Sequence, residues 1–93
     1  MIGKRLKEAR RLCDMTQEKL GVMIGIEEAT ARQRISQYEL GTHTPKYSLA
    51  CLMAEILHVP ECYFYIKSDD FADKVLALYQ AENSHCATDT KEK

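Results

Sequence analysis

Residues Thr16 to Pro45 read TQEKLGVMIGIEEATARQRISQYELGTHTP, and the fold turns on this stretch. Thr16 is a good helix N-cap, and Leu20, Met23 and Ile24 follow it at helical spacing as the inner stripe of a short helix. Lys19 stands where a capping box would need Glu or Gln, so the box is incomplete, but Glu18 still places negative charge in the first turn. Gly21 permits a neighbouring helix to approach closely, and Gly25 suits the C-terminal stop. Ile26 plugs the core at the turn. Glu27 or Glu28 opens a second helix, with favourable charge at its N-terminus, that ends at Gly41. The expected unit is two short helices joined by a glycine-containing turn.

With Ile35 placed at the core and each residue advanced by 100°, Gln33 and Gln37 fall at about 160° on either side of the outward pole. Thr30 lies near them, and Arg34 and Ser36 occupy opposite flanks. Arg32 is nearer the buried side but long enough to curl outward. Tyr38 points inward beside Ile35, and Ala29 and Ala31 are small enough for tight packing. Arg and Gln carry forked donors and acceptors that match guanine and adenine edges in a major groove. A helix presenting them is a candidate reader of double-stranded DNA. The plain alternative for each residue is a solvated helix face.

Upstream, Ile2, Leu6, Ala9 and Leu12 or Cys13 mark an amphipathic first helix, broken at Asp14-Met15. Lys4, Arg5, Lys7 and Arg11 read as its solvated face. Downstream, Thr42–Lys46 is a loop, and Ser48 is the expected cap of a helix with the stripe Leu49, Leu52, Met53 and Ile56. Pro60 opens a short helix through Tyr65. Asp69-Asp70 starts a last helix bearing Phe71, Val75, Leu78 and Tyr79 at i, i+4, i+7 and i+8. The expected organisation is a main domain over 1–66, a C-terminal helix over 67–82 and a polar, disordered tail over 83–93.

Composition sets bounds. Ninety-three residues with 45% hydrophobic and 29% charged content suit one globular domain of modest core. No apolar run is long enough to span a bilayer, and the N-terminus is charged and amphipathic, so the expected location is the cytoplasm, with no membrane partner. The four cysteines, at 13, 51, 62 and 86, have no C-x-x-C spacing, and His85-Cys86 lies in the polar tail without other ligands, so neither metal nor cofactor is expected. The net charge of -1 conceals a split: residues 1–47 carry nine Lys/Arg against six Asp/Glu, and residues 48–93 carry four against eight. The resulting +3 and -4 favour a polyanion partner at the N-terminal half. No catalytic triad, phosphate-binding glycine loop or H-E-x-x-H is present, so an enzyme is not expected.

The order of these features resembles the phage-repressor and Cro-type (XRE-type) helix-turn-helix family. An amphipathic helix, TQEKL, an IGI turn, ISQYELG, a loop with Pro45, and LACLMAEILHVP follow the family's sequence from about Ile2 to Tyr65. The resemblance implies an all-α, five-helix, lambda-repressor-like DNA-binding domain, here with an additional C-terminal helix. It aligns Arg32, Gln33 and Gln37 with base-reading positions, to which geometry adds Thr30 and Arg34. It places Gln17, Thr44 and Lys46 against phosphates, with Ser36 on the flank joining them. It also pairs Arg10 with Glu39 as a structural ion pair. Phage-type repressors bind as dimers to half-sites one helical turn apart, so a pseudo-palindromic operator is expected; the apolar Phe71, Val75, Leu78 and Tyr79 either cap the domain core or, the favoured reading, form the homodimer interface.

One departure stands out. The family usually has about four residues between the apolar residue of the turn and the Ile-Ser of the reading helix, whereas eight, Glu27 to Arg34, intervene here. Four extra residues are about one helical turn, so they lengthen either the helix or the loop. Two further readings remain open on sequence alone: the antitoxin half of a toxin–antitoxin pair, and a protein-interaction module without DNA binding, as overall acidity and Glu27–Glu28 permit.

Overall fold

The computed structural model describes the backbone of residues 1–92 and the side chains of residues 1–83. Helices follow one another as α1 (Gly3–Leu12), α2 (Gln17–Met23), α3 (Glu28–Leu40) and α4 (Tyr47–Leu57), then a short 3-10 turn (Glu61–Tyr65) and α5 (Asp69–Glu92). The described residues contain no strand, and the fold is all-α as expected. Helix α5 runs past the boundary expected at 82. The expected polar tail at 83–93, with His85 and Cys86, lies outside the described residues apart from its helical backbone to Glu92 and the side chain of Asn83.

The first four helices end in the same way. Asp14, Gly25, Gly41 and His58 each adopt the left-handed conformation just past a helix. After each, the chain folds back: Met15 N–H donates to Arg10 O, Ile26 to Gly21 O, Thr42 to Gln37 O and Val59 to Ala54 O, at 2.9–3.1 Å. This paired capping satisfies terminal carbonyls and turns each helix sharply onto the next. At the start of α2, Thr16 accepts from Lys19 N–H at 3.0 Å.

Helix α3 runs through the middle of the domain. Ile35 is fully buried, and Tyr38 is buried with it in one core with Leu6 and Ala9 of α1, Leu20 of α2 and Met53 of α4, while Ala31 is buried against Gly21 of α2. Helices α2 and α3 cross at near contact: a Cβ on Gly21 would stand 2.6 Å from the Ala31 Cβ. Any side chain there would push the two helices apart at a cost of roughly 1–3 kcal/mol. The extra residues before Ile35 lengthen the helix, not the loop, because α3 is already helical at Glu28.

Several local expectations are corrected. Met23 is exposed, because the Gly21–Ala31 contact rotates α2 and turns Met23 outward. Leu52 is exposed too; the small Ala50 and Ala54 set the inner face of α4 with Met53 and Leu57. Ala29 is exposed and only Ala31 takes part in packing. Ser48 does not cap α4: the chain, anchored by buried Pro45, becomes helical directly after Lys46, with no side-chain cap. Helix α5 has a cap that composition did not suggest, Ser68 Oγ accepting from Phe71 N–H at 3.2 Å. Its buried residues are Ala72 and Leu76, with Val75 and Tyr79 half-buried, while Phe71 and Leu78 are 57% and 60% exposed.

The largest correction is Arg5, expected in a solvated face and only 3% exposed. Its Nε donates to Ile66 O at 3.1 Å and its Nη2 to Lys67 O at 3.3 Å. The same Nη2 stands 2.9 Å from the Asp69 carboxylate, and the guanidinium lies 5.8 Å from the Tyr63 ring centroid. Lys4 Nζ reaches the same carboxylate oxygen at 2.9 Å. Four residues separate Arg5 from the fully buried Ala9, which places both on one side of α1. That spacing was the available signal. Lys4 and then Arg5 hold the Asp69 carboxyl below its ordinary range.

Arg5→Ala should therefore destabilise the fold by about 1–3 kcal/mol through unsatisfied carbonyls. Asp69→Asn should cost far less, since that carboxylate is solvated. Because the Asp69 pKa is depressed in the folded state, its contribution is present above the unfolded carboxyl value and fades as pH falls through the folded one. Denaturant melts of the three proteins between neutral pH and pH 3 check this. Equal acid sensitivity of wild type and Asp69→Asn would refute the role of Asp69.

Candidate nucleic-acid interface

The site is organised from below by a buried carboxylate. Glu39, on the last full turn of α3, accepts from Arg10 Nε at 2.6 Å and from Arg10 Nη2 at 3.3 Å. The two side chains are only 12% and 4% exposed, Arg10 first. The third guanidinium nitrogen, Nη1, donates to Met15 O at 2.8 Å, in the turn between α1 and α2. This two-pronged contact is the geometry for which a planar guanidinium is suited.

Glu39 has a further partner that sequence reasoning missed. Gln17, the first residue of α2, donates from Nε2 to Glu39 Oε1 at 3.0 Å. One carboxylate of α3 thus holds α1 through Arg10 and α2 through Gln17. The expectation for Gln17 was a phosphate contact, with a second capping residue as the alternative; neither foresaw the bond to Glu39.

Above this junction the exposed side of α3 carries the polar residues singled out in the sequence. Gln17, Ala29, Arg32, Gln33, Ser36 and Gln37 line one open concavity of about 530 Å3. Thr30, Gln33, Arg34 and Gln37 line a smaller one of about 160 Å3 on the other flank. Gln33 and Gln37 are shared by both, in keeping with their angular position at the outward pole. Arg32, Gln33 and Arg34 are exposed, and Ser36 and Gln37 are half-buried.

Thr44 and Lys46 line neither concavity. They are exposed in the loop between α3 and α4, on either side of buried Pro45. Gln37 O accepts from Thr42 N–H at 3.0 Å and His43 N–H at 3.3 Å, which fixes the start of this loop to the end of α3. The expected dimer residues lie apart from this face on α5, whereas Arg10 and Glu39 lie beneath it.

The described residues hold no cluster of His, Cys, Asp and Glu arranged for a metal. Cys13, Cys51 and Cys62 are free thiols; burial pushes the Cys13 thiol up, and it donates to Leu57 O at 3.2 Å. Among the described residues no helix is long and apolar enough to cross a membrane.

Comparison with known proteins agrees with this architecture. The Helix-turn-helix family matches residues 6–64. An uncharacterised HTH-type transcriptional regulator of Sinorhizobium medicae (strain WSM419) is 36% identical over 64 residues, covering 69% of this chain and 43% of the relative. A counterpart from Rhizobium meliloti (strain 1021) matches to the same extent, 36% over 64 residues. The chain therefore spans less than half the length of these curated relatives, 43%. The crystal structure of the transcriptional regulator BswR superposes with a TM-score of 0.85 at 29% identity, covering 100% of this chain and 95% of that one. The chain belongs to the helix-turn-helix family.

Removing one partner of the buried pair leaves a desolvated charge behind. Glu39→Ala or Arg10→Ala should cost roughly 3–5 kcal/mol, while Arg10→Met with Glu39→Leu should recover much of that loss. Urea denaturation of wild type, Arg10→Ala, Glu39→Ala and the double variant Arg10→Ala with Glu39→Ala tests the coupling, with the Met/Leu variant alongside. Additive losses in the double variant would show that the pair does not act as a unit.

Proposed function

We propose that this member of the helix-turn-helix family is a sequence-specific, non-enzymatic DNA-binding regulator. In this reading it acts as a dimeric repressor that occupies a pseudo-palindromic operator. One observation carries the proposal: α3 presents Arg32, Gln33 and Gln37 around an open concavity, and α2 stands behind it, held by the Gln17–Glu39 bond. Arg matches guanine O6 and N7, and Gln matches adenine N6 and N7, when a helix lies in the major groove. Thr30 and Arg34 stand on the flank of the same face and extend the readout.

Affinity comes from the edges. Gln17 at the start of α2, Ser36 on the flank of α3, and Thr44 and Lys46 in the following loop bracket the reading helix, where phosphates would pass on either side. Such contacts set register without reading sequence. The +3 charge of residues 1–47 suits this role, and the -4 of residues 48–93 keeps the remainder away from the polyanion.

Dimerisation is assigned to α5. Phe71 and Leu78 lie seven residues apart on one stripe and are more than half exposed, with Val75 and Tyr79 along its edge. An isologous contact between two such stripes would make a two-fold dimer, and a palindromic operator demands two copies of α3 about one DNA turn apart.

Selection from a randomised duplex pool, followed by anisotropy titrations at two salt concentrations, tests the reading. A palindromic site should emerge, bound more weakly at high salt. Gln33→Ala and Gln37→Ala should each relax selection at one base, worth about 1–3 kcal/mol of discrimination. Lys46→Ala should weaken all sequences alike and reduce the salt slope by about one. Undiminished selectivity in both glutamine variants would sink the reading face. Leu78→Asp should give a monomer in analytical ultracentrifugation, and an intact dimer would move the interface elsewhere.

A further inference from the structure

In the extra turn of α3 the general mechanism gives a task to Thr30 alone, which lines the smaller concavity with Gln33, Arg34 and Gln37. The turn spans Glu28 to Ala31 and contains no Lys or Arg, while Glu27 and Glu28 at its start are both exposed carboxylates. A segment of that charge is repelled by the phosphate backbone, so in a DNA complex it has no part in gripping the strand. Glu28 faces α2, where it lines a shallow hollow with Thr16, Lys19 and Met23. Ala31 is buried against Gly21. Thr30 is exposed toward the smaller concavity, and Ala29, also exposed, lines the larger one with Gln17, Arg32, Gln33, Ser36 and Gln37.

Ala29 is the single apolar residue in that lining. It precedes Gln33 by one i,i+4 step, so it projects from the same side of α3 about 6 Å nearer the N-terminus. With α3 in the major groove, Ala29 would therefore face a base beyond the one Gln33 reaches. A methyl side chain has no donor or acceptor for a base edge. The one apolar group in the major groove is the 5-methyl of thymine, and an alanine is small enough to let the groove floor approach it.

We propose that Ala29 is a specificity-determining residue that reads a thymine 5-methyl group, and that the lengthened helix adds this position to the operator. The inference rests on the DNA-binding reading above. It assigns the additional turn a base-reading task and predicts that each half-site extends by a thymine beyond the bases read by Gln33 and Gln37.

Deoxyuridine, which lacks only the 5-methyl, tests it directly. Each thymine of the selected operator is replaced singly by deoxyuridine, and affinity is measured for wild type and Ala29→Gly. Ala29 is exposed, and thermal melting confirms that the variant is folded. Wild type should lose about fourfold at one thymine per half-site, the worth of one buried methyl group. Ala29→Gly should bind as weakly to the thymine duplex as to the uracil one at that position, with selection at the Gln33 and Gln37 bases intact. If both proteins respond identically to every uracil substitution while Gln33→Ala still relaxes selection, the assignment of Ala29 is wrong and the reading face stands. Failure of wild type to select any sequence overturns both.

Discussion

The arrangement of the first three helices depends on the carboxylate of Glu39. It accepts two hydrogen bonds from Arg10 on α1 and one from Gln17 on α2, and Arg10 in turn holds the carbonyl of Met15 in the turn between them. Burying this pair costs desolvation, and hydrophobic residues of similar size could supply comparable stability. What they could not supply is direction. A forked guanidinium and a two-oxygen acceptor fix both distance and angle, whereas apolar contacts slide. Since α2 and α3 must keep one relative orientation for their exposed faces to act together, a directional contact at this point is the physical reason to retain charge inside a small core.

A second constraint operates along the α2–α3 crossing. Gly21 against Ala31 brings the helices closer than any larger pair permits. The capping turn after α2, with Ile26 N–H bonded to Gly21 O, returns the chain toward α3 from the same glycine. Glu39 fixes the start of α2 and Gly21 fixes its middle. Two points determine a line, and the orientation of α2 on α3 is thereby specified with little buried area. Helix α2 has only seven residues, too few to be stable on its own, so its helicity is itself a product of these contacts.

The sequence made legible those features that rest on local rules. Thr16 as a cap, Gly25 and Gly41 as stops, and Ile35 and Tyr38 as core follow from periodicity and capping chemistry alone, and the structure has each in that role. The face of α3 was legible too, because one buried anchor at Ile35 fixes the angle of every other residue in the helix. What failed was anything set by a distant partner. Met23 and Leu52 sit on apolar stripes by spacing yet are exposed, because Gly21, Ala50 and Ala54 rotate their helices toward closer approach. Periodicity ranks hydrophobicity and overlooks small residues, although packing often turns on them. Arg5 failed differently: its spacing from Ala9 hinted at the buried side of α1, but its partners are carbonyls 61 and 62 residues away, which no local pattern names.

Arg5 also explains how a peripheral helix can be held firmly while burying little. Of the described side chains of α5, Ala72 and Leu76 alone are buried, which is modest apolar area for a helix that long. Its position is set instead at its N-terminal end. Arg5 binds the two carbonyls that lead into the helix, its charge and that of Lys4 meet Asp69 in the first turn, and Ser68 caps the Phe71 amide. The acidic first turn suits the helix dipole, so the same carboxylate serves helix and latch together. A helix anchored at one end by polar contacts keeps its direction without spending its hydrophobic residues on the core. Phe71 and Leu78 stay exposed for that reason, and their exposure is a consequence of how α5 is attached.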